Sequence, residues 1–168
     1  MGQFSLSTYV RPFLENVTNL DVGMVSVYLF DIGFAGLLGT LLIGHVLRSH
    51  LQLAIIGLPA GMAAMAVLLI VAGHNAALTA SILFVWGLFT TPIPVSWNTW
   101  MTRVIPDQLE AGGALQVALI QFAITAGAFA GGLLYDNSGW ASTFTLAAVL
   151  LALSSALAAI VARRSPNG

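Results

Sequence analysis

Asp31 is a carboxylate about ten residues into an apolar stretch long enough to cross a bilayer. An ionised side chain at that depth costs at least ~2.5 kcal/mol, so it pairs, takes up a proton or faces a wet cavity. Two chemistries follow. Burial favours the protonated carboxyl, which is what a proton-coupling site needs. Alternatively, Asp31 forms a structural pair with Arg11 on the preceding segment. Counted from the turn near Asn19, Arg11 lies ~8 residues deep and Asp31 ~12, an offset of ~6 Å at 1.5 Å per residue that an arginine stem can bridge.

The other polar groups in apolar surroundings are few. Pro92 and Pro94, preceded by Thr90 and Thr91, interrupt a helical run. Each proline frees a backbone carbonyl, which a membrane helix tolerates only where neighbours or a water-lined cavity satisfy it. Broken helices of this kind recur beside transporter binding sites, although a plain packing kink reads the same way. Trp97, Asn98 and Trp100 follow, and the indoles suit an interfacial aromatic belt as well as a site. Gln116 and Gln121 are turned about 140° apart on one helix, so they need not meet one ligand. Gln121 shares a face with Thr125 and sits deeper, which favours it over Gln116 as a cavity residue.

Catalytic and metal chemistry find little support. The chain has no Cys, and its three His (His45, His50, His74) are scattered without a neighbouring carboxylate at metal-ligand spacing. No nucleophile–base set, phosphate loop or paired acids occur, so neither an enzyme nor a cofactor is expected. Five Arg, no Lys and a net charge of -1 leave no basic patch for nucleic acid. Asn16-Val17-Thr18 matches a glycosylation sequon, a triplet frequent by chance. A signal peptide is not expected, because the start lacks a basic region and Arg11 interrupts the first apolar run.

The elements that hold these residues follow from composition. The 168 residues are 58% hydrophobic and only 7% charged, against about a quarter charged in a soluble domain. Stretches 22–46, 52–72, 76–100, 113–134 and 139–162 each approach the roughly 20 apolar residues that span ~30 Å of hydrocarbon. Because the runs are continuous and not alternating, a β-barrel is excluded and an all-α bundle of antiparallel helices is expected. Residues 3–17 look like the second half of a spanning helix whose first half is missing, or else a short re-entrant or surface helix. Arg48, Arg103 and Arg163-Arg164 follow alternate spans, which places that side, and the C-terminus, in the cytoplasm. Small residues at four-residue spacing, Gly36/Thr40/Gly44, Gly57/Gly61, Ala123/Gly127/Gly131 and Ala148/Ala152/Ala156, mark where helices would touch.

Several of these residues fall into one pattern. Thr8 to Pro12, Trp86-Gly87, Pro92 to Trp100, Thr102-Arg103, Asp107-Gln108, Glu110 to Gln121, and Gly131-Gly132 through Asp136 to Gly139 resemble the C-terminal half of a major facilitator superfamily efflux permease. The likeness is greatest to bacterial purine ribonucleoside efflux pumps and their arabinose-efflux-type relatives, and is most specific from Trp86 to Gln121. It implies a twelve-helix fold of two six-helix halves, substrate bound between them, and proton-driven antiport by alternating access. Residues 3–17 would then be the outer part of the seventh helix and the five full spans helices eight to twelve. Gly44-His45-Val46-Leu47-Arg48 resembles a loop motif ending Gly-x-x-x-Asp-Arg, with Leu47 where the Asp belongs. Asp31 is not the residue usual at its place, so its proton role rests on depth.

The expectation is therefore a polytopic half-transporter in a bacterial inner membrane, exporting a small polar solute such as a nucleoside or sugar. Tyr9, Arg11, Trp97, Asn98, Gln116 and Gln121 are the substrate-binding candidates and Asp31 the proton-coupling candidate. Tyr9 and Trp97 could stack on a flat ring, and Arg11 could hold an anionic or hydroxyl-rich solute. The partners implied are that solute, the lipid bilayer and a missing N-terminal six-helix half. The alternative is a truncated half or membrane subunit that transports nothing alone.

Overall fold

A computed structural model describes residues 1–164, with only the backbone of Ser49 and Arg164; the tail, and the Arg164 side chain invoked for orientation, lie outside the described residues. The fold is all-α. Seven helices follow in order: α1 (Gly2–Asn16), α2 (Val22–Ser49), α3 (Leu51–Ala72), α4 (Ala76–Thr90), α5 (Pro92–Val104), α6 (Leu109–Ser138) and α7 (Trp140–Arg164). Five stretches are long and apolar enough to cross a membrane: α2, α3, α4 with α5, α6 with its preceding turn, and α7.

Local chemistry sets the helix boundaries. The carboxylate of Asp21 accepts from the Met24 amide at 3.2 Å and starts α2, and the Asn75 side chain does the same for Leu78 at 3.1 Å in α4. The chain reverses between α1 and α2 through Asn19 at φ 56, a left-handed conformation that Asn tolerates. Gly139, at φ 81, turns α6 into α7. The expected third span is in fact two helices. Its ladder ends at Thr90, and Pro92 opens α5 at a position where the missing N–H costs nothing.

α1 packs against α6 and α7 and, more lightly, α2. Its Leu6, Phe13 and Leu14 are fully buried with Met62 and Leu69 of α3, Leu83 and Trp86 of α4, and Phe144 of α7. A second apolar cluster joins Ile43 and Leu47 of α2 to Leu51, Ala54 and Leu58 of α3, with Phe89, Ile93 and Trp100 against it. Lipid is as apolar as these side chains, so close contact and not water exclusion holds the helices.

Both ends are tied by side-chain bonds to backbone. At one end Thr18 and Thr79 both donate to the Gly73 carbonyl, at 2.8 and 3.3 Å, and Tyr28 donates to Ala76 at 2.9 Å. At the other, Arg103 donates to the Leu47 carbonyl at 3.0 Å. Arg48 and Arg103 therefore share one end of the bundle, opposite the α1–α2 and α3–α4 turns. Most other hydroxyls, Thr8, Ser26, Ser81, Thr99 and Thr125 among them, donate to the carbonyl four residues back. That bond hides the donor within its own helix.

The small-residue stripes are used selectively. A Cβ at Gly36 would run into the Thr91 hydroxyl, one at Gly39 into the Leu88 backbone, and one at Gly87 into the Ile32 carbonyl, so these glycines set the α2–α4 approach. Gly44 and Gly57 have open space instead. Gly127 and Gly131 of α6 seat the start of α1: a Cβ would lie 2.7 Å from the Met1 carbonyl at Gly127 and 3.1 Å from Ser5 at Gly131.

Candidate functional site

The cavity of interest is bounded by α5 and α6, closed from behind by α3 and α7, and floored by the first residues of α1. Its volume is about 590 Å³, enough for a ligand of drug size. Its walls are apolar apart from a few groups. Trp97, Trp100 and Met101 come from α5, Gly112, Leu115 and Gln116 from α6, Gln3 from α1 and Ser154 from α7. The two indoles meet edge to face, with ring centroids 5.7 Å apart at 80°. Such a pair presents a flat face with polarised C–H and N–H edges.

Within this apolar site, Gln116 stands out. Its Oε1 is buried with no hydrogen-bond partner among the described residues. A buried amide oxygen left alone costs about 1–3 kcal/mol, a deficit that a donor on a bound solute would remove.

The structure sorts the expected site residues by helix face. Trp97 and Gln116 line the cavity. Gln121 lies on the opposite, exposed side of α6 with Thr125, whose hydroxyl donates to the Gln121 carbonyl at 3.1 Å. The preference for Gln121 over Gln116 is thus reversed: depth favoured Gln121, but the helix turns it away. Asn98 is exposed on α5, one step round from Trp97. Met101 and Gly112 line the cavity without having been expected there. A signal for Gly112 was present, since Gly112, Gln116, Ile120 and Ala123 repeat at three and four residues and form one helix face.

Tyr9 takes part in packing. Its hydroxyl donates to the Ala128 carbonyl at 3.0 Å and its ring stacks on Tyr135 at 5.2 Å. Tyr9→Phe keeps the stack and loses one hydrogen bond. The bundle should lose about 1 kcal/mol in an unfolding titration, with solute affinity unchanged. A large fall in affinity at intact stability would put Tyr9 in the site after all.

The expected Arg11–Asp31 pair is not formed. The Arg11 Nε binds Glu15 Oε1 at 2.8 Å, one turn along its own helix, with the arginine side chain 63% exposed. Asp31 is half-buried on α2 and has no ion pair among the described residues. No group of His, Asp and Glu among the described residues could hold a metal ion.

No protein-family model matches the chain, and no solved structure does either. Among curated proteins it is 44% identical over 169 residues to the "Transcription regulatory protein OpdE" of Pseudomonas aeruginosa. It is 39% identical over 165 residues to the "Purine ribonucleoside efflux pump NepI" of Salmonella paratyphi C, and equally so to that of Salmonella typhimurium. These alignments take in 98–100% of this chain but 42% of the length of each relative. Together with an all-helical, multi-pass membrane bundle, that coverage fits the C-terminal half of an efflux transporter.

Proposed function

We propose that the chain is the half of an efflux permease that supplies the aromatic and amide side of a solute site. The observation that carries this is the cavity itself: paired indoles and a buried amide oxygen with no partner among the described residues, set in mostly apolar walls. A flat solute with a polar edge, such as a nucleoside or a related sugar, suits that lining, with Trp97 beneath the ring and Gln116 as acceptor. The purine efflux pumps among the relatives support the same solute class. Arg11 and Asn98, exposed here, would face a second six-helix half and complete the site from outside the cavity. The Arg48–Arg103 end lies in the cytoplasm of a bacterial cell, following the bias of positive charge to that side, with the C-terminus there too.

In this reading transport is proton-coupled antiport and Asp31 exchanges the proton, because a carboxylate in mid-span without a cation is otherwise costly. Asp31→Asn should abolish solute movement driven by an imposed pH gradient while solute–solute exchange persists. Unchanged gradient-driven movement would remove Asp31 from the coupling.

The test of function is efflux of labelled nucleosides and sugars in inverted membrane vesicles, with and without a co-expressed N-terminal half. Movement that needs both halves supports the proposal. The second reading, a subunit inert by itself, rests on the chain covering 42% of its relatives, and movement by this chain alone would overturn it.

A further inference from the structure

We infer that Ser154 of α7 reads a hydroxyl on the sugar of the solute and so determines specificity, an inference that rests on the cavity being a solute site. Besides the two indoles, three polar side chains line the cavity: Gln3 from α1, Gln116 from α6 and Ser154 from α7. None of the lining side chains is charged. An ionised group held among them would go uncompensated, so the solute that fits is neutral.

Ser154 differs from the other hydroxyls of its helix. Thr143 donates to the Gly131 carbonyl of α6 at 2.8 Å, and Thr145 to the Ala141 carbonyl one turn back at 2.7 Å. Ser155, the next residue, donates to the Ile56 carbonyl of α3 at 2.8 Å. Ser154 makes no hydrogen bond among the described residues. Neighbours in sequence stand about 100° apart on a helix, so Ser155 ties α7 to α3 while Ser154 lines the cavity.

A serine hydroxyl offers one donor and two acceptor lone pairs. Its full complement is a group that also donates and accepts, as a sugar hydroxyl does and a C–H does not. Trp97 and Gln116 stand on the α5 and α6 walls, and Ser154 stands on the α7 wall behind them. A flat base held by the indole and the Gln116 amide therefore leaves its sugar toward α7. There Leu150, Leu151 and Pro59 of α3 are apolar, and Ser154 is the polar side chain.

The test is binding of labelled adenosine and guanosine to the chain in membranes. Each is competed by its monodeoxy analogues, which lack one sugar hydroxyl at a time. One analogue should compete about three- to tenfold more weakly than the parent nucleoside, the value of one hydrogen bond. In Ser154→Ala that difference should vanish, with the affinity of the analogue itself unchanged. Alanine is the better helix former, so α7 keeps its helix in this variant. Ser155→Ala, which loses the bond to Ile56, should keep the discrimination. Discrimination that survives in Ser154→Ala overturns the assignment, and so does a parent chain that binds every analogue alike. Its loss in both serine variants overturns it too, because the packing of α7 would then be the source. A parent chain that binds neither nucleoside removes the nucleoside site itself, and the role of Ser154 with it.

Discussion

Gly39→Ala is expected to weaken the bundle by about 2 kcal/mol or more, while Gly44→Ala on the same helix strengthens it by about 0.5–1 kcal/mol. The sign changes because of what a methyl group would meet. At Gly39 it falls on the Leu88 backbone, which cannot rotate aside, so α2 and α4 must separate along their contact. That contact also contains Gly36 and Gly87, and opening it removes the van der Waals approach that substitutes for a hydrophobic drive in lipid. At Gly44 nothing lies within 4 Å, and the substitution only removes the backbone entropy of a helical glycine. Unfolding in mixed micelles, followed by far-ultraviolet circular dichroism, separates the two. Equal destabilisation by both would mean that α2 packs on a different face.

These two glycines also show what the sequence could reveal. Continuous apolar runs with short polar breaks are helical in the structure, with helix ends a few residues from the ends of the runs. The proline pair announced the break between α4 and α5. What spacing could not decide was azimuth. Gly36, Thr40 and Gly44 form a regular stripe, yet α4 crosses at Gly36 and Gly39, because a neighbour's position determines which turn is touched. Likewise the count of residues from the turn put Arg11 and Asp31 within reach in height and said nothing of their facing. A nearer partner, Glu15 at i+4, was already present in the sequence and takes the guanidinium. Leu47 was read as a lost carboxylate in a loop motif. In the structure it is a buried core residue whose main-chain oxygen receives Arg103, an acceptor that side-chain identity does not disclose.

Gln116→Leu should move stability and affinity in opposite directions. The Gln116 Oε1 is buried with no hydrogen-bond partner among the described residues, so an apolar side chain of similar size removes a desolvation penalty. The unfolding free energy should then rise by about 1–2 kcal/mol. The same oxygen is the acceptor proposed for a solute donor, and its loss should weaken binding about ten- to hundredfold, the range for one hydrogen bond to a buried group. Gln121→Leu, on the exposed face of α6, should leave solute affinity unchanged. Quenching of tryptophan fluorescence by titrated nucleoside reads affinity, since two of the four tryptophans, Trp97 and Trp100, line the cavity, and a micelle unfolding titration reads stability on the same samples. A Gln116→Leu protein that becomes less stable would show that the amide holds the bundle together, and the polar group of the site would have to be sought elsewhere. Opposed changes at Gln116 with unchanged affinity at Gln121 fix the side of α6 that a solute sees, since the two amides sit on one helix and differ in the face they occupy.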